Sequence, residues 1–297
     1  MTEATADEVS RAERPLIERA TLEVTARDAD AAAVLKDCLP SGARVHITYL
    51  ANAALQDTIR QSVALSRAGF APVPHVAARS LPHADDLRRY VAQIVGEAGA
   101  TEVLLIGGDL TRPRGPFGAS IDVLRSGELE RGGIRGVGFA THPEGHPQVS
   151  ADTMDAALLA KIEHARAVGL QTELVTQFCF EASPIVKHIA RLGALGVAAP
   201  VRIGLAAPTN AALMLKFALR CGIGPSVRAL STQGTRLGHL AGVSDPSALI
   251  AELEQALASS QPAIAGLHFF VFGSVDKAAK WLVQQRRAAS GWGSVEA

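Results

Sequence analysis

The sequence predicts an α/β fold, a single closed (β/α)8 barrel, and three observations carry that prediction. Eight short β-rich runs recur along the 297 residues. Between them lie longer segments in which apolar residues return at three- and four-residue intervals, the signature of amphipathic helices. Polar residues of chemical interest follow many different strands, whereas an open doubly wound sheet, the structural rival, gathers them near one crossover.

In chain order the strands are expected at 20–25, 44–50, 72–77, 102–106, 136–140, 172–176, 201–206 and 264–272. Helices are expected at 85–98, 154–168 and 210–220 among others. Strand and helix in strict alternation imply parallel strands with right-handed crossovers, and eight such units close into a TIM barrel with no exposed edge. Residues 1–15 read as a disordered arm, residues 16–297 as the barrel, and 286–297 as a fraying tail with little to bury. The Gly/Pro-rich stretch 107–118, GGDLTRPRGPFG, is a loop within the barrel.

Composition narrows the function classes. Hydrophobic residues make up 48% and charged ones 20%, enough for a large core, and aromatics at 4% leave that core to Ala, Val and Leu. Lys plus Arg and Asp plus Glu stand at 29 each, so no net field draws nucleic acid or an acidic membrane. Cys38, Cys179 and Cys221 are odd in number and far apart, which argues against disulfides or a CxxC metal site. With neither a signal-like nor a membrane-length apolar run, a cytoplasmic protein is expected. Helix faces leave the oligomeric state open, a homo-oligomer included.

Loops after barrel strands gather at one face, so residues there are candidates for chemistry. Glu23 in TLEVTA is either an inward carboxyl, with a pKa raised by a dry cavity and fit for general acid work, or a structural carboxylate paired with a cation. Thr48 ends the second strand, and His75 in VPHVAAR, followed by Arg79, lies on the third. After the fourth strand, IGGDL offers Gly107 and Gly108 for close backbone approach to a flat or phosphorylated ligand, with Asp109 adding a carboxylate. Its plain reading is a tight turn. The fifth strand runs through Ala140 into FATHPEGHP, where His142, Glu144 and His146 alternate as zinc ligands would, although two prolines speak for a rigid loop. The sixth ends in TQFCF: Gln177 can donate and accept to a heterocycle, Phe178 and Phe180 can stack or pack, and Cys179 reads as a small buried hydrophobe.

Taken in order, TLEV, GGDL, THPEGHP and TQFCF make the sequence resemble the methylenetetrahydrofolate reductase family in its short bacterial, barrel-only form, over residues 21–272. The resemblance implies a barrel that binds FAD and passes hydride from NADH or NADPH to 5,10-methylenetetrahydrofolate, giving 5-methyltetrahydrofolate. It implies that Glu23 donates a proton to the folate, that Asp109 lies by the flavin and folate rings, and that Gln177 and Phe180 contact the substrate. It also implies flavin contacts at Thr48, His75, Gly108, Ala140, His142 and His146, with Lys161 near the cofactor phosphate. Two departures stand out: Thr25-Ala26-Arg27 replaces a proline-rich continuation after the glutamate, and LANAALQD replaces a glycine-containing turn after Tyr49. Two variants of the reading therefore stay open: flavin-independent hydride transfer on the same barrel, and a pterin- or folate-binding barrel without redox activity. A metal hydrolase built on His142, Glu144 and His146 is a third.

Overall fold

The structure is a computed structural model that describes residues 14–50, 54–210, 213, 214, 216, 217, 243–260 and 262–289. Eight parallel strands close a barrel: β1 (Thr21–Thr25), β2 (Arg44–Thr48), β3 (Ala71–Ala77), β4 (Glu102–Ile106), β5 (Gly136–Thr141), β6 (Gln171–Thr176), β7 (Val201–Ala206) and β8 (Ile264–Phe270), with β8 pairing back onto β1. The outer ring is α1 (Ala31–Lys36), α2 (Leu55–Arg67), α3 (Ala84–Ala98), α4 (Ser120–Arg125), α5 (Glu128–Arg131), α6 (Ala151–Ala167), α7 (Ala182–Ala194), α8 (Ser247–Ala256) and α9 (Val275–Ala289). The expected (β/α)8 architecture is the one observed, and two of the eight strands, β4 and β7, match the sequence expectation to the residue.

Alternation decides where the core sits. Outward strand residues, among them Leu22, Val24, Val45, Ile47, Val103, Leu105, Phe139, Leu174, Ile203, Leu205 and Phe269, join one apolar cluster beneath the helices. On α3 the buried set Leu87, Tyr90, Val91, Ile94 and Ala98 repeats at the helical period, and Gly99 ends the helix in the left-handed conformation at φ 62°. Helix α6 begins at Ala151, ahead of the expected start at Met154, because the Ser150 hydroxyl accepts from Thr153 N.

The N-terminal end of the barrel is tied by charge. Glu173 takes Arg44 at 2.7 Å and Arg202 at 3.0 Å, and Arg44 also reaches Glu102 at 3.0 Å. A turn at 15–20 closes over this end, with Leu16 and Ile17 buried. Arg286 donates to the carbonyls of Ile17 and Ala20 at 3.3 and 2.8 Å. This corrects the expected tail: residues 286–289 continue α9 and fasten the N-terminal turn, while 290–297 lie outside the described residues. Residues 1–13 of the expected arm, Cys221, and 211, 212, 215 and 218–220 of the expected helix also lie outside them. No helix among the described residues is long and apolar enough to cross a membrane.

Candidate functional site

Strand register turns a set of polar side chains into the barrel. Glu23 pairs with His46 across β1 and β2, and Thr21 pairs with His268 across β1 and β8. In a parallel sheet such partners share a face. Glu23, His46, His75 and His268 are all buried, with 6%, 1%, 6% and 0% of their surface exposed. The His46 ring centre stands 4.5 Å from that of His268 and 5.7 Å from that of His75. Thr21 Oγ1 lies 3.0 Å from His268 Nδ1, so the other ring nitrogen, Nε2, is the one that faces Glu23 Oε2, at 3.6 Å.

This geometry reverses the expected titration of Glu23. Burial alone pushes its pKa up, as the sequence suggested, but His268, then His75, with a weaker pull from the Thr48 hydroxyl, bring it below the ordinary carboxylate value. Glu23 is thus an ionised carboxylate at neutral pH, with His268 Nε2 facing it across 3.6 Å. His75 is driven down to about 4 by burial, with Glu23 opposing and His268 adding to the fall. His46 lies well below its ordinary value, first through burial and then through its neighbours His268, Arg44, His75 and Arg202, which disfavour a further positive charge. Both rings are neutral at pH 7.

The strand ends carry the rim. After β4, Arg79 organises loop 107–118: its side chain donates to Gly118 O at 2.9 Å and Leu110 O at 3.2 Å, and its backbone N–H to Gly107 O at 3.0 Å. Gly108 has φ 87°, and a Cβ there would meet Ala77 Cβ at 3.3 Å, so its missing side chain lets the loop pack against β3. That places exposed Asp109 on the mouth side of the barrel. After β6, Gln177 is half-buried: its N–H donates to Thr141 O at 2.7 Å and its Oε1 accepts from Phe178 N at 3.1 Å, which leaves the amide NH2 to present outward. Phe178 is fully buried among Phe180, Phe270 and Phe272, with ring centres 4.8–5.6 Å away, and Phe217 stacks on Phe272 at 4.4 Å. Phe270 in turn meets the edge of His268 at 5.0 Å. An aromatic wall therefore rises from the buried imidazoles to the rim. Cys179, next in sequence to Phe178, turns instead into the apolar core beneath the helices, its thiol pushed up by burial and then by Glu144, as suits an inert packing group. Thr48 ends β2 half-buried, with its hydroxyl among the groups that hold Glu23 down.

A concavity of about 770 Å³ opens beside β5, between its loop and helices α6 and α7. Ala140, His142, His146, Lys161, Lys187, His188 and Arg191 line it. Lys161 Nζ lies 5.1 Å over the Phe139 ring, and burial lowers its pKa to about 8. Burial, followed by the charges of His146, His188 and Lys161, takes His142 to about 4. The His142 and His146 rings meet edge-on at 5.5 Å, and no cluster of three or more His, Cys, Asp or Glu among the described residues is arranged to hold a metal ion.

The sequence-derived candidates thus fall into three places. Glu23 and His75 sit deep in the barrel. Thr48, Gly108, Asp109, Gln177 and Phe180 stand at its rim, and Ala140, His142, His146 and Lys161 line the lateral concavity. His46 and His268 were missed. Each sits amid apolar residues in RVHIT and GLHFF, at positions where alternation turns it inward, and that alternation was the available signal.

No family model matches the sequence. Solved structures of like fold include an uncharacterized protein from Clostridium thermocellum that binds two copies of 5-methyl-5,6,7,8-tetrahydrofolic acid. It superposes with TM-score 0.62 at 12% identity, over 95% of this chain and 98% of that one. Dihydropteroate synthase from Thermus thermophilus superposes with TM-score 0.51 at 14% identity, over 96% of each chain, and its complex with 6HMPPP gives 0.52 at 14%, over 96% of this chain and 94% of that one. At such identities the likeness is one of fold, and function has to be argued from the site.

Proposed function

We propose that this chain is a folate-binding barrel that takes a reduced pterin at its strand-end mouth. The observation that carries the reading is the aromatic wall above the Glu23–His268 pair, in which half-buried Phe180 and Phe270 are backed by buried Phe178 and Phe272. A pterin is flat, apolar on its faces and rich in donors and acceptors along its edges. Aromatic side chains suit the faces, and the Gln177 amide and Asp109 carboxylate suit the edges. The fold supports this choice, since one barrel of like architecture binds 5-methyltetrahydrofolate and another is a dihydropteroate synthase. Isothermal titration with 5-methyltetrahydrofolate tests it: saturable binding is expected, weakened in Gln177→Ala.

A second, finer reading is favoured by the Glu23–His268 pair, because two coupled titratable groups sealed from water are more than binding requires. In that reading the barrel reduces 5,10-methylenetetrahydrofolate with NADH or NADPH. The chain would hold the pterin against the aromatic wall, exclude water from the hydride path, and pass a proton through the Glu23 carboxylate, which faces His268 Nε2, to the folate nitrogen that leaves the one-carbon unit. FAD fits the residues present: Lys161, Lys187 and Arg191 in the lateral concavity suit its phosphates, and the half-buried Lys161 ammonium lies over the Phe139 ring. When bound, the flavin supplies hydride transfer between nicotinamide and folate. Glu23→Gln is expected to lower folate-dependent NAD(P)H oxidation by about a hundredfold or more while leaving folate affinity in place. Oxidation at the original rate in that variant would remove Glu23 from the chemistry, and absence of any oxidation in the parent would leave the binding reading alone.

A further inference from the structure

The sequence holds six lysines, and five of them, Lys36, Lys187, Lys216, Lys277 and Lys280, are exposed. Lys161 is the exception. It leaves α6 toward β5 half-buried, and its Nζ lies 5.1 Å over the ring of Phe139, a residue of the core beneath the helices. Among the described residues no carboxylate lies within ion-pair distance of it, and burial is what lowers its pKa. The ammonium is therefore covered without being neutralised. At about 8 it leaves roughly a tenth of the group as free amine at pH 7, whereas an exposed lysine near 10.4 keeps about one part in 2,500.

The amine lines the lateral concavity, whose volume of about 770 Å³ is that of a small-ligand site. Lys187 lies on the same wall, and so does His188, whose Nε2 is buried with no hydrogen-bond partner. Arg191 contributes less, because Asp155 and Asp152 hold its guanidinium. The two carboxylates of the lining, Asp155 and Glu144, both have partners already. What is left over is cationic and donor-rich, and it suits an anionic group.

We propose that Lys161 is an imine-forming site for a small anionic aldehyde or ketone, held in the lateral concavity with its carboxylate or phosphate toward Lys187 and His188. Lys161 Nζ attacks the carbonyl carbon. The C–N bond forms as the π pair of the C=O bond moves to oxygen, which takes up a proton released by the nitrogen. The second nitrogen proton then joins that oxygen as the C–O bond breaks, one water leaves, and the C=N bond remains. Nothing is oxidised or reduced, and solvent carries both protons. The inference rests on neither folate reading, since the concavity lies outside the barrel mouth. It belongs to the concavity when no flavin fills it.

The probe is pyridoxal 5′-phosphate, an aldehyde that carries a phosphate. It is added in limiting amount to flavin-free protein near neutral pH, the adduct is trapped with borohydride, and peptide mass spectrometry gives the share on each lysine. Lys161 is expected to take at least about tenfold more label than any of the five exposed lysines, through its larger free-amine fraction. Its labelling is expected to rise with pH around a midpoint of about 8. Pyridoxal, which lacks the phosphate, is expected to show a several-fold smaller preference for Lys161 over the exposed lysines. Label spread evenly over the six lysines, or concentrated on Lys187, overturns the proposal. So does a preference for Lys161 that is the same with and without the phosphate, because the cations would then have no part in the site.

Discussion

At the scale of single residues, the charge state of Glu23 is set by a partner on the last strand of the barrel. Burial and His268 pull in opposite directions, and His268 with its neighbours prevails. Replacing His268 with Phe removes the largest opposing influence and keeps the burial. Glu23 is then expected to carry a proton near neutral pH, seen as a new protonated-carboxyl band in the infrared spectrum that vanishes in the His268→Phe/Glu23→Gln double variant. An unchanged spectrum would mean that His268 does not govern Glu23. An inward Glu23 was one of two readings that TLEVTA left open, and the direction of its shift was not legible. Desolvation can be read from apolar neighbours in sequence, whereas an imidazole from β8 becomes a neighbour only when the barrel closes. His46 and His268 escaped notice for a related reason: both faces of barrel strands are buried, so hydropathy alone does not distinguish in from out.

Among the elements, the loop that follows β4 shows how a weak motif gains meaning. GGD looked like a backbone surface for a ligand, and the structure gives Gly108 a structural duty as well. Gly108→Ala places a side chain at φ 87° and 3.3 Å from Ala77 Cβ, and the left-handed conformation alone costs about 1–2 kcal/mol. Chemical denaturation is expected to show a loss of that size. Arg79→Met, which removes side-chain hydrogen bonds to Leu110 O and Gly118 O, is expected to expose loop 107–118 to limited proteolysis and to weaken folate binding through Asp109. Cleavage elsewhere, with this loop intact, would show that Arg79 does not hold it. Strands were placed closely by the sequence because β-branched runs and Gly or Pro boundaries are local signals. Helix starts were less well placed, as at α6, where the cap Ser150 sits outside the apolar period.

For the molecule as a whole, the polar interior makes stability sensitive to acid. Glu173 is held at about 2 against an ordinary 4.5: burial raises it, and Arg202 and Arg44 overcome that. A depressed carboxylate adds stability above pH 4.5 that is lost as pH falls toward 2. His75 and His142, held at about 4 against 6.5, stay neutral in the fold while the unfolded chain takes up protons, so stability also declines from pH 6.5 toward 4. Both effects have the same sign, and melting temperature is expected to fall monotonically through this range. Glu173→Gln leaves Arg202, with a side chain only 6% exposed, without its carboxylate, and is expected to cost about 3–5 kcal/mol at neutral pH while flattening the lower part of the acid profile. The barrel itself was legible from strand count and alternation. The separation of its polar residues into interior, rim and lateral concavity was not, because depth along a strand depends on the shear of the closed sheet.

The folate-binding mouth is the central claim, and calorimetric titration of the purified protein with 5-methyltetrahydrofolate addresses it most directly. The account predicts saturable binding that Gln177→Ala weakens by about 1–3 kcal/mol, or roughly 5- to 150-fold, through the lost amide contacts. Absence of binding at millimolar ligand by a folded protein would contradict it.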